Sequence, residues 1–249
     1  MRDFYHRNLI NQIKRAFSGK NPEILQLRYG SGIYSKLLKT SYPDGKITLL
    51  EKTNENEDKI DLSLFKNVIF EDYSDHIILK LEEKFDIVTL GSKQNFNLFS
   101  TKFNINTEEE FISLIKYIDY YLKPSGEIII LTRSDKFDNK SQKNFIKALY
   151  FKQSYDNTTR TNKKILNEQQ MVKTFKTTLS QLGNYYFKTE HIKKNPLLQE
   201  NLKCIEYLNK HNYNPLPEIK EKALKIDIES KKYGQENGYL LFLRAKKQR

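Results

Sequence analysis

The chain has 249 residues, 38% of them hydrophobic, with 43 Lys+Arg against 31 Asp+Glu and a formal net charge of +12. That length can bury a continuous core, but a mean hydropathy of −0.72 leaves much of it as solvated surface, and no apolar run approaches the ~20 residues of a membrane span. One cysteine excludes an internal disulfide and a cysteine-based zinc site, and a polar first 17 residues exclude a secretory leader, so the expectation is a soluble protein of the cytoplasm or another reducing intracellular compartment.

The first predicted element is an amphipathic helix, with Phe4, Leu9, Ile10, Ile13 and Phe17 on one face and Arg7, Lys14 and Arg15 on the other. Gly19 ends it. Short apolar runs then alternate with helical patterns: strands at 24–27, 47–50, 68–70, 86–90 and 127–131, helices at 33–40, 55–65, 74–82 and 107–122. Each strand is a near-continuous run of Ile, Leu and Val, as expected when both faces of a parallel sheet are covered. The β/α alternation predicts right-handed crossovers and a doubly wound α/β fold.

Beyond residue 133 the pattern changes. A polar stretch at 134–164 holds a helical piece around Phe145–Phe151, a helix follows at 167–182, a strand at 185–189, a second helical region at 196–211 and a closing strand at 239–244. Cys204 lies in an apolar-periodic run and reads as a buried structural thiol. Tyr117, Tyr120 and Tyr121 stand at helical spacing and read as core.

Four segments carry chemistry. Gly30-Ser31-Gly32 follows the first strand and precedes a helix, where glycine lets the backbone pass close to a ligand and the helix presents free N–H groups. Glu51 ends the second strand about 20 residues on, the place where a carboxylate meets ribose hydroxyls in nucleotide-binding folds. Asp72 and Tyr73 end the third strand, and Gly91 ends the fourth. The four histidines show no metal-ligand spacing, and neither a P-loop nor a GxSxG elbow is present, so neither a metal nor hydrolase chemistry is expected.

The order of elements over roughly 20–135 resembles the class I S-adenosylmethionine-dependent methyltransferases, whose "LKPGG" turn is similar to Leu122-Lys123-Pro124-Ser125-Gly126 here. A narrower likeness spans most of the chain, to the mRNA cap guanine-N7 methyltransferases. Arg7-Asn8-Leu9-Ile10-Asn11-Gln12-Ile13-Lys14 stands in register with their N-terminal signature. Gln94-Asn95-Phe96-Asn97-Leu98-Phe99-Ser100 resembles their CHYSFES segment, Asn167-Glu168 their LNE stretch, and Gly238-Tyr239-Leu240-Leu241-Phe242 their closing strand.

The resemblance implies a Rossmann-like sheet of seven strands, mostly parallel, with an antiparallel last strand and helices on both faces. It implies one methyltransferase-like domain over 1–249: an N-terminal helix (1–19), a cofactor-binding half (20–133) and a substrate-side half (134–249). S-adenosylmethionine would be held by Lys14, Gly30, Ser31, Gly32, Glu51, Asp72, Tyr73 and Gly91. RNA would be met by Asn11, Asn95, Phe96, Glu168 and Tyr239. No general base is required, because guanine N7 carries a lone pair, so catalysis would be positioning plus electrostatics. The chain departs from the pattern at Gln26, where the family has Asp, at Arg28, where it has Gly, and at Asn95-Phe96, where it has His-Tyr. Those departures keep a second reading open: a catalytically inactive fold that binds RNA or regulates a partner subunit in a larger assembly. A third, a methyltransferase for small molecules or proteins, takes the charge as background composition.

Overall fold

A computed structural model describes residues 10–11, 13–15, 21–27, 33–51, 61–70, 84–90, 108–160, 166–199, 202–210 and 215–248. Seven strands form one sheet: β1 (Glu23–Leu27), β2 (Lys46–Glu51), β3 (Asn67–Phe70), β4 (Phe85–Leu90), β5 (Leu122–Arg133), β6 (Tyr185–Gln199) and β7 (Glu236–Lys247). The helices are α1 (Ile33–Ser41), α2 (Glu108–Tyr121), α3 (Lys140–Arg160), α4 (Glu168–Leu182), α5 (Cys204–Lys210) and α6 (Pro217–Tyr233).

The strand order is β3-β2-β1-β4-β5-β7-β6. Strands β1 to β5 pair in parallel, and β7 runs antiparallel to both neighbours. This is the class I methyltransferase fold. The expected seven-stranded sheet with its antiparallel last strand is borne out.

Successive strand residues point to opposite faces, and both faces are apolar. Leu25, Leu27, Val88, Leu90, Ile128 and Ile130 pack on one side against α2 and α4, through Phe111, Ile115, Met171 and Phe175. Ile24, Ile47, Leu49, Ile87, Ile129 and Phe242 pack on the other, against Leu38 of α1 and against Ile10 and Ile13. A third cluster, away from the sheet, joins α3, α5 and α6 through Ala148, Phe151, Cys204, Leu208, Ala223 and Ile226. Cys204 is fully buried there, and burial pushes its thiol up to about 12.

Several boundaries differ from expectation. Strand β6 continues to Gln199, so residues 196–199 are strand where a helix was expected, and α5 begins only at Cys204. The short helical piece at 145–151 is the middle of a 21-residue helix. Helix α6, 17 residues long, was not foreseen at all. Of the three tyrosines of α2, Tyr117 and Tyr121 are buried, but Tyr120 is 49% exposed, with the Lys84 ammonium 3.7 Å over its ring. The expected helix at 74–82 lies outside the described residues, and so does most of the one at 55–65, where Leu62–Leu64 forms a 3₁₀ turn.

The turn into β5 links the two halves of the sheet. Phe85 pairs with Leu122 but Ile87 with Glu127, so residues 123–126 bulge out of the ladder. Lys123 Nζ holds this bulge between Glu23 Oε2 (2.7 Å) and Asp86 Oδ1 (3.1 Å). Burial lowers the basicity of Lys123, but the two carboxylates outweigh it and the ammonium titrates above its ordinary value.

Candidate functional site at the carboxyl edge of the sheet

In open α/β sheets ligands bind outside the carboxyl ends of the parallel strands. Strands β1, β2, β4 and β5 end here at Leu27, Glu51, Leu90 and Arg133. Because β7 is antiparallel, its first residues, Tyr239 among them, come to the same edge, where Leu240 pairs with Arg133.

Two features of the sequence build the site. Asn167 caps α4: its side chain accepts the Gln170 N–H at 2.9 Å, and Gln170 Oε1 accepts the Asn167 N–H at 3.0 Å, a reciprocal capping box. This cap makes Glu168 the first residue of the helix, where the dipole favours a carboxylate. The chain leaving β5 then locks onto it. Glu168 Oε2 accepts from the Ser134 hydroxyl (2.8 Å) and from the Asp135 N–H, while the Glu168 N–H donates to Asp135 Oδ2 at 2.9 Å. The other oxygen of Glu168 lies 2.6 Å from His191 Nε2 on β6.

Asp135 also accepts from the Tyr150 hydroxyl of α3 at 2.6 Å. Burial raises the Asp135 carboxyl above its ordinary value, against the pull of these two donors. Burial, and then the Asp135 bond, push the Tyr150 phenol up as well, so Tyr150 stays a donor across physiological pH. Alongside lies a second knot. Asp138 Oδ2 accepts from Lys193 Nζ (2.8 Å) and from the Tyr239 hydroxyl (2.7 Å). Lys193, and then Tyr239, hold the Asp138 carboxyl below its usual range. The Lys136 and Lys193 ammonium groups stand 4.8 and 5.8 Å from the Tyr239 ring centroid, a cation–π arrangement. The Ser134 N–H donates to the Tyr239 carbonyl at 3.4 Å and joins the two knots, so the edge presents carboxylates, two phenols, an imidazole and two ammonium groups on one shelf.

On the cofactor side, Gln26 of β1 is fully buried. Its Oε1 accepts from the Ser35 hydroxyl of α1 at 2.8 Å, and its Nε2 has no hydrogen-bond partner among the described residues. A buried donor without a partner costs about 1–3 kcal/mol, so the amide suits an acceptor on a bound group.

Of the site residues expected from sequence, Glu168 and Tyr239 come together on this shelf. Asn11 and Lys14 are exposed, on a helical turn that buries Ile10 and Ile13. Glu51 is the last residue of β2. Gly30, Ser31, Gly32, Asp72, Tyr73, Gly91, Asn95 and Phe96 lie outside the described residues, as does Arg28. Asp135, Asp138, Tyr150 and His191 were not anticipated. The one trace available was cross-strand: Lys193 pairs with Tyr239 in the β6–β7 ladder. Among the described residues no group of His, Cys, Asp and Glu is arranged to hold a metal ion, and no helix is long and apolar enough to cross a membrane.

No family model matches the chain, and no curated protein sequence matches it. Solved structures do. A cyclopropane-fatty-acyl-phospholipid synthase-like protein from Lactobacillus casei superposes with a TM-score of 0.64 at 10% identity, covering 97% of this chain and 90% of its own. A SAM-dependent methyltransferase from Archaeoglobus fulgidus gives a TM-score of 0.56 at 16% identity, over 99% and 95%. The N-methyltransferase NodS from Bradyrhizobium japonicum gives 0.54 at 9% identity, over the full length of both chains. At such identities the likeness establishes the fold.

Proposed function

We propose that this chain is an S-adenosylmethionine-dependent methyltransferase acting on RNA, with transfer to a cap-like guanine N7. The meeting of Glu168 and Tyr239 on one polar shelf at the carboxyl edge carries the reading, since two segments 71 residues apart in sequence converge where a methyl acceptor would lie. The net charge of +12 supports a polyanionic substrate.

The fold implies the cofactor, and the unpartnered Gln26 amide at the end of β1 fits a bound polar group. In this reading the turn at Gly30-Ser31-Gly32 passes beneath it, Glu51 accepts its ribose hydroxyls and Lys14 pairs with its carboxylate, while Asp72, Tyr73 and Gly91 complete the pocket. When bound, S-adenosylmethionine supplies a methyl group on a sulfonium. This chain's part is to orient the acceptor. The Glu168 carboxylate, fixed by Ser134, Asp135 and His191, takes the exocyclic N–H groups of guanine. Tyr239, Asn95, Phe96 and Asn11 bound the base. A carboxylate that needs no reorganisation is worth most where charge develops, and N7 becomes cationic on methylation.

A second reading rests on Gln26. A neutral amide tied to Ser35 replaces the acid of the resembled pattern, and Arg28 replaces a glycine; both fit a non-catalytic subunit that binds RNA beside an active partner. Calorimetric titration with S-adenosylmethionine, run on the natural chain and on Arg28→Gly, separates the two. The enzyme reading expects micromolar binding by the natural chain, methyl transfer to guanosine-capped RNA, and a kcat/KM about 10²-fold lower in Glu168→Gln. Binding confined to Arg28→Gly would leave the second reading standing.

A further inference from the structure

Between α3 and α6, outside the carboxyl-edge shelf, lies a cavity of about 550 Å³. Its apolar lining comes from Phe137, Ile146, Phe151 and Ile226, and its charged lining from four lysines, Lys143, Lys147, Lys222 and Lys225, with Glu229 as the one acid. Lys147 binds that acid at 2.6 Å and holds its carboxyl below the usual range. Lys225 and Lys143 add to that pull, so the lining carries four ammonium groups against one carboxylate. Lys143 lies 5.5 Å over the Phe137 ring, and among the described residues Lys222 and Lys225 make no ion pair or hydrogen bond, both being exposed. Phe137 is 48% exposed, a large ring at the mouth of the cavity.

Tyr150 connects this cavity to the shelf. Its ring lines the cavity, while its hydroxyl donates to Asp135 Oδ2, the oxygen that also accepts the Glu168 N–H. The cavity and the Glu168 shelf therefore share Tyr150 as a common wall. A surplus of fixed positive charge around an aromatic and aliphatic floor matches one ligand chemistry well: a planar body with phosphates on either side. An amphipathic acidic helix fits less well, because a helix in a groove needs a stripe of apolar anchors, and here four lysines share the lining with four apolar side chains.

We propose that the α3–α6 cavity binds single-stranded RNA, one base stacking at Phe137 over the apolar floor and the flanking phosphates contacting Lys143, Lys222 and Lys225. The proposal rests on the RNA reading above and adds a second contact point along the same strand. Base stacking on an aromatic ring tolerates any sequence, and the lysines contribute a salt-dependent affinity without reading bases.

Fluorescence anisotropy on the full chain with a ten-nucleotide 5′-labelled oligouridylate tests it, using Lys222→Glu/Lys225→Glu and Phe137→Ala. All three positions are exposed, and matching circular dichroism melts would show the variants folded. The double reversal should weaken binding at least tenfold and reduce the slope of log K against log salt by about 2, one per lysine. Phe137→Ala should weaken it about 5- to 100-fold with the salt slope unchanged. A 4-thiouridine version of the oligonucleotide should crosslink to the segment holding Phe137.

RNA binding that the variants leave intact, or crosslinks confined elsewhere, would overturn the cavity while leaving the RNA reading in place. A natural chain that binds neither this oligonucleotide nor capped RNA would overturn both. Equal competition by a hexaglutamate peptide, with Phe137→Ala silent, would make the surface a contact for acidic protein and would also overturn the proposal.

Discussion

The sheet falls into two regions built by different rules. Strands β1, β2 and β4 are interior, parallel and covered on both faces, so Ile24, Leu25, Leu27, Ile47, Leu49, Leu50, Ile87, Val88 and Leu90 are all essentially inaccessible, and β3 closes this side as a half-buried parallel edge. At β5, β7 and β6 the pairing turns antiparallel and the strands lengthen, the outermost has no fully buried residue between 185 and 193, and polar side chains do much of the fastening. The first region is an apolar frame whose buried polar side chains are few, Gln26, Thr48 and Thr89, with the Gln26 amide near its carboxyl edge. The second carries charges into its interior and ends in the Glu168–Tyr239 shelf. Stability and site chemistry are therefore separated along the sheet, and the second region should be the more sensitive to loss of polar partners.

The sharpest way to break that contrast is at the β5–β7 seam. Glu127 is buried in β5 with its side chain 4% exposed, and Arg244 of β7 grips it with Nε at 2.6 Å and Nη2 at 2.8 Å. Lys246 Nζ stands 3.3 Å from the same carboxylate. Arg244→Met would leave a buried carboxylate short of its bidentate partner, and stranding a buried charge typically costs about 3–5 kcal/mol. Lys246 softens the loss, so the lower half of that range is expected in urea unfolding. Glu127→Leu combined with Arg244→Met should recover most of it, because a packed apolar pair carries no stranded charge. A loss under about 1 kcal/mol for the single variant would place the seam's stability in its apolar residues and erase the distinction between the regions.

A smaller effect is expected where β7 enters the shelf. A Cβ on Gly238 would stand 2.4 Å from Gln142 Cδ and 2.7 Å from Oε1. Gln142 Oε1 accepts the Asp138 N–H at 2.7 Å, and Asp138 in turn holds Tyr239 and Lys193. Gly238→Ala must therefore push the Gln142 amide aside and unfasten the turn before α3. Overpacking of this kind costs about 1–3 kcal/mol, and the shelf should suffer first. Chemical-shift changes at Tyr239 and Lys193 should exceed those anywhere in β1 to β4, whereas uniform changes would mean that the two regions respond as one body.

The same division decided what could be read from sequence. Strands buried on both faces announce themselves as unbroken Ile/Leu/Val runs, and β1 to β5 were placed to within a residue or two, except that β5 begins earlier, at Leu122. Helix α2 was equally plain, because Phe111, Leu114, Ile115, Ile118 and Tyr121 all point inward. Helix α6 was invisible for the opposite reason. It buries only Ala223 and Ile226, while Leu216, Leu224 and Ile228 are exposed, so its apolar residues do not mark its inner face. Helix α3 hides Ser141, Gln142 and Asn144 inside, and polar residues at buried positions cancel the periodic pattern. At the site, Glu168 and Tyr239 were reachable through family resemblance. Asp135, Asp138, His191 and Lys193 were not, since only the pairing of β6 with β7 and the loop after β5 brings them to those two residues.

The smallest expected effect lies on the join between the regions, and it runs in the stabilising direction. Ser125 has a φ of 66°, inside the bulge that Lys123 pins to Glu23 and Asp86. In the resembled "LKPGG" turn a glycine holds this position, and here a residue with a Cβ takes the left-handed conformation at a cost of roughly 1–2 kcal/mol. Glycine would remove that cost but loses roughly 0.5–1 kcal/mol more backbone entropy on folding. The contact that Ser125 makes is subtracted as well. The balance favours Ser125→Gly by about 0.5 kcal/mol, which for a chain of this length raises Tm by about 1–2 °C. Ser125→Val should lower stability by more than Ser125→Gly raises it, because a β-branched residue is the least tolerant of that backbone. The adjacent Gly126 is held by space rather than by φ: a Cβ there would lie 2.9 Å from the Leu122 side chain and 3.0 Å from the Lys123 carbonyl oxygen, so Gly126→Ala should destabilise. If thermal unfolding ranked Ser125→Gly below the natural chain, the bulge would owe its shape to the serine side chain rather than to the turn, and the join would belong with the polar-fastened region instead of the apolar frame.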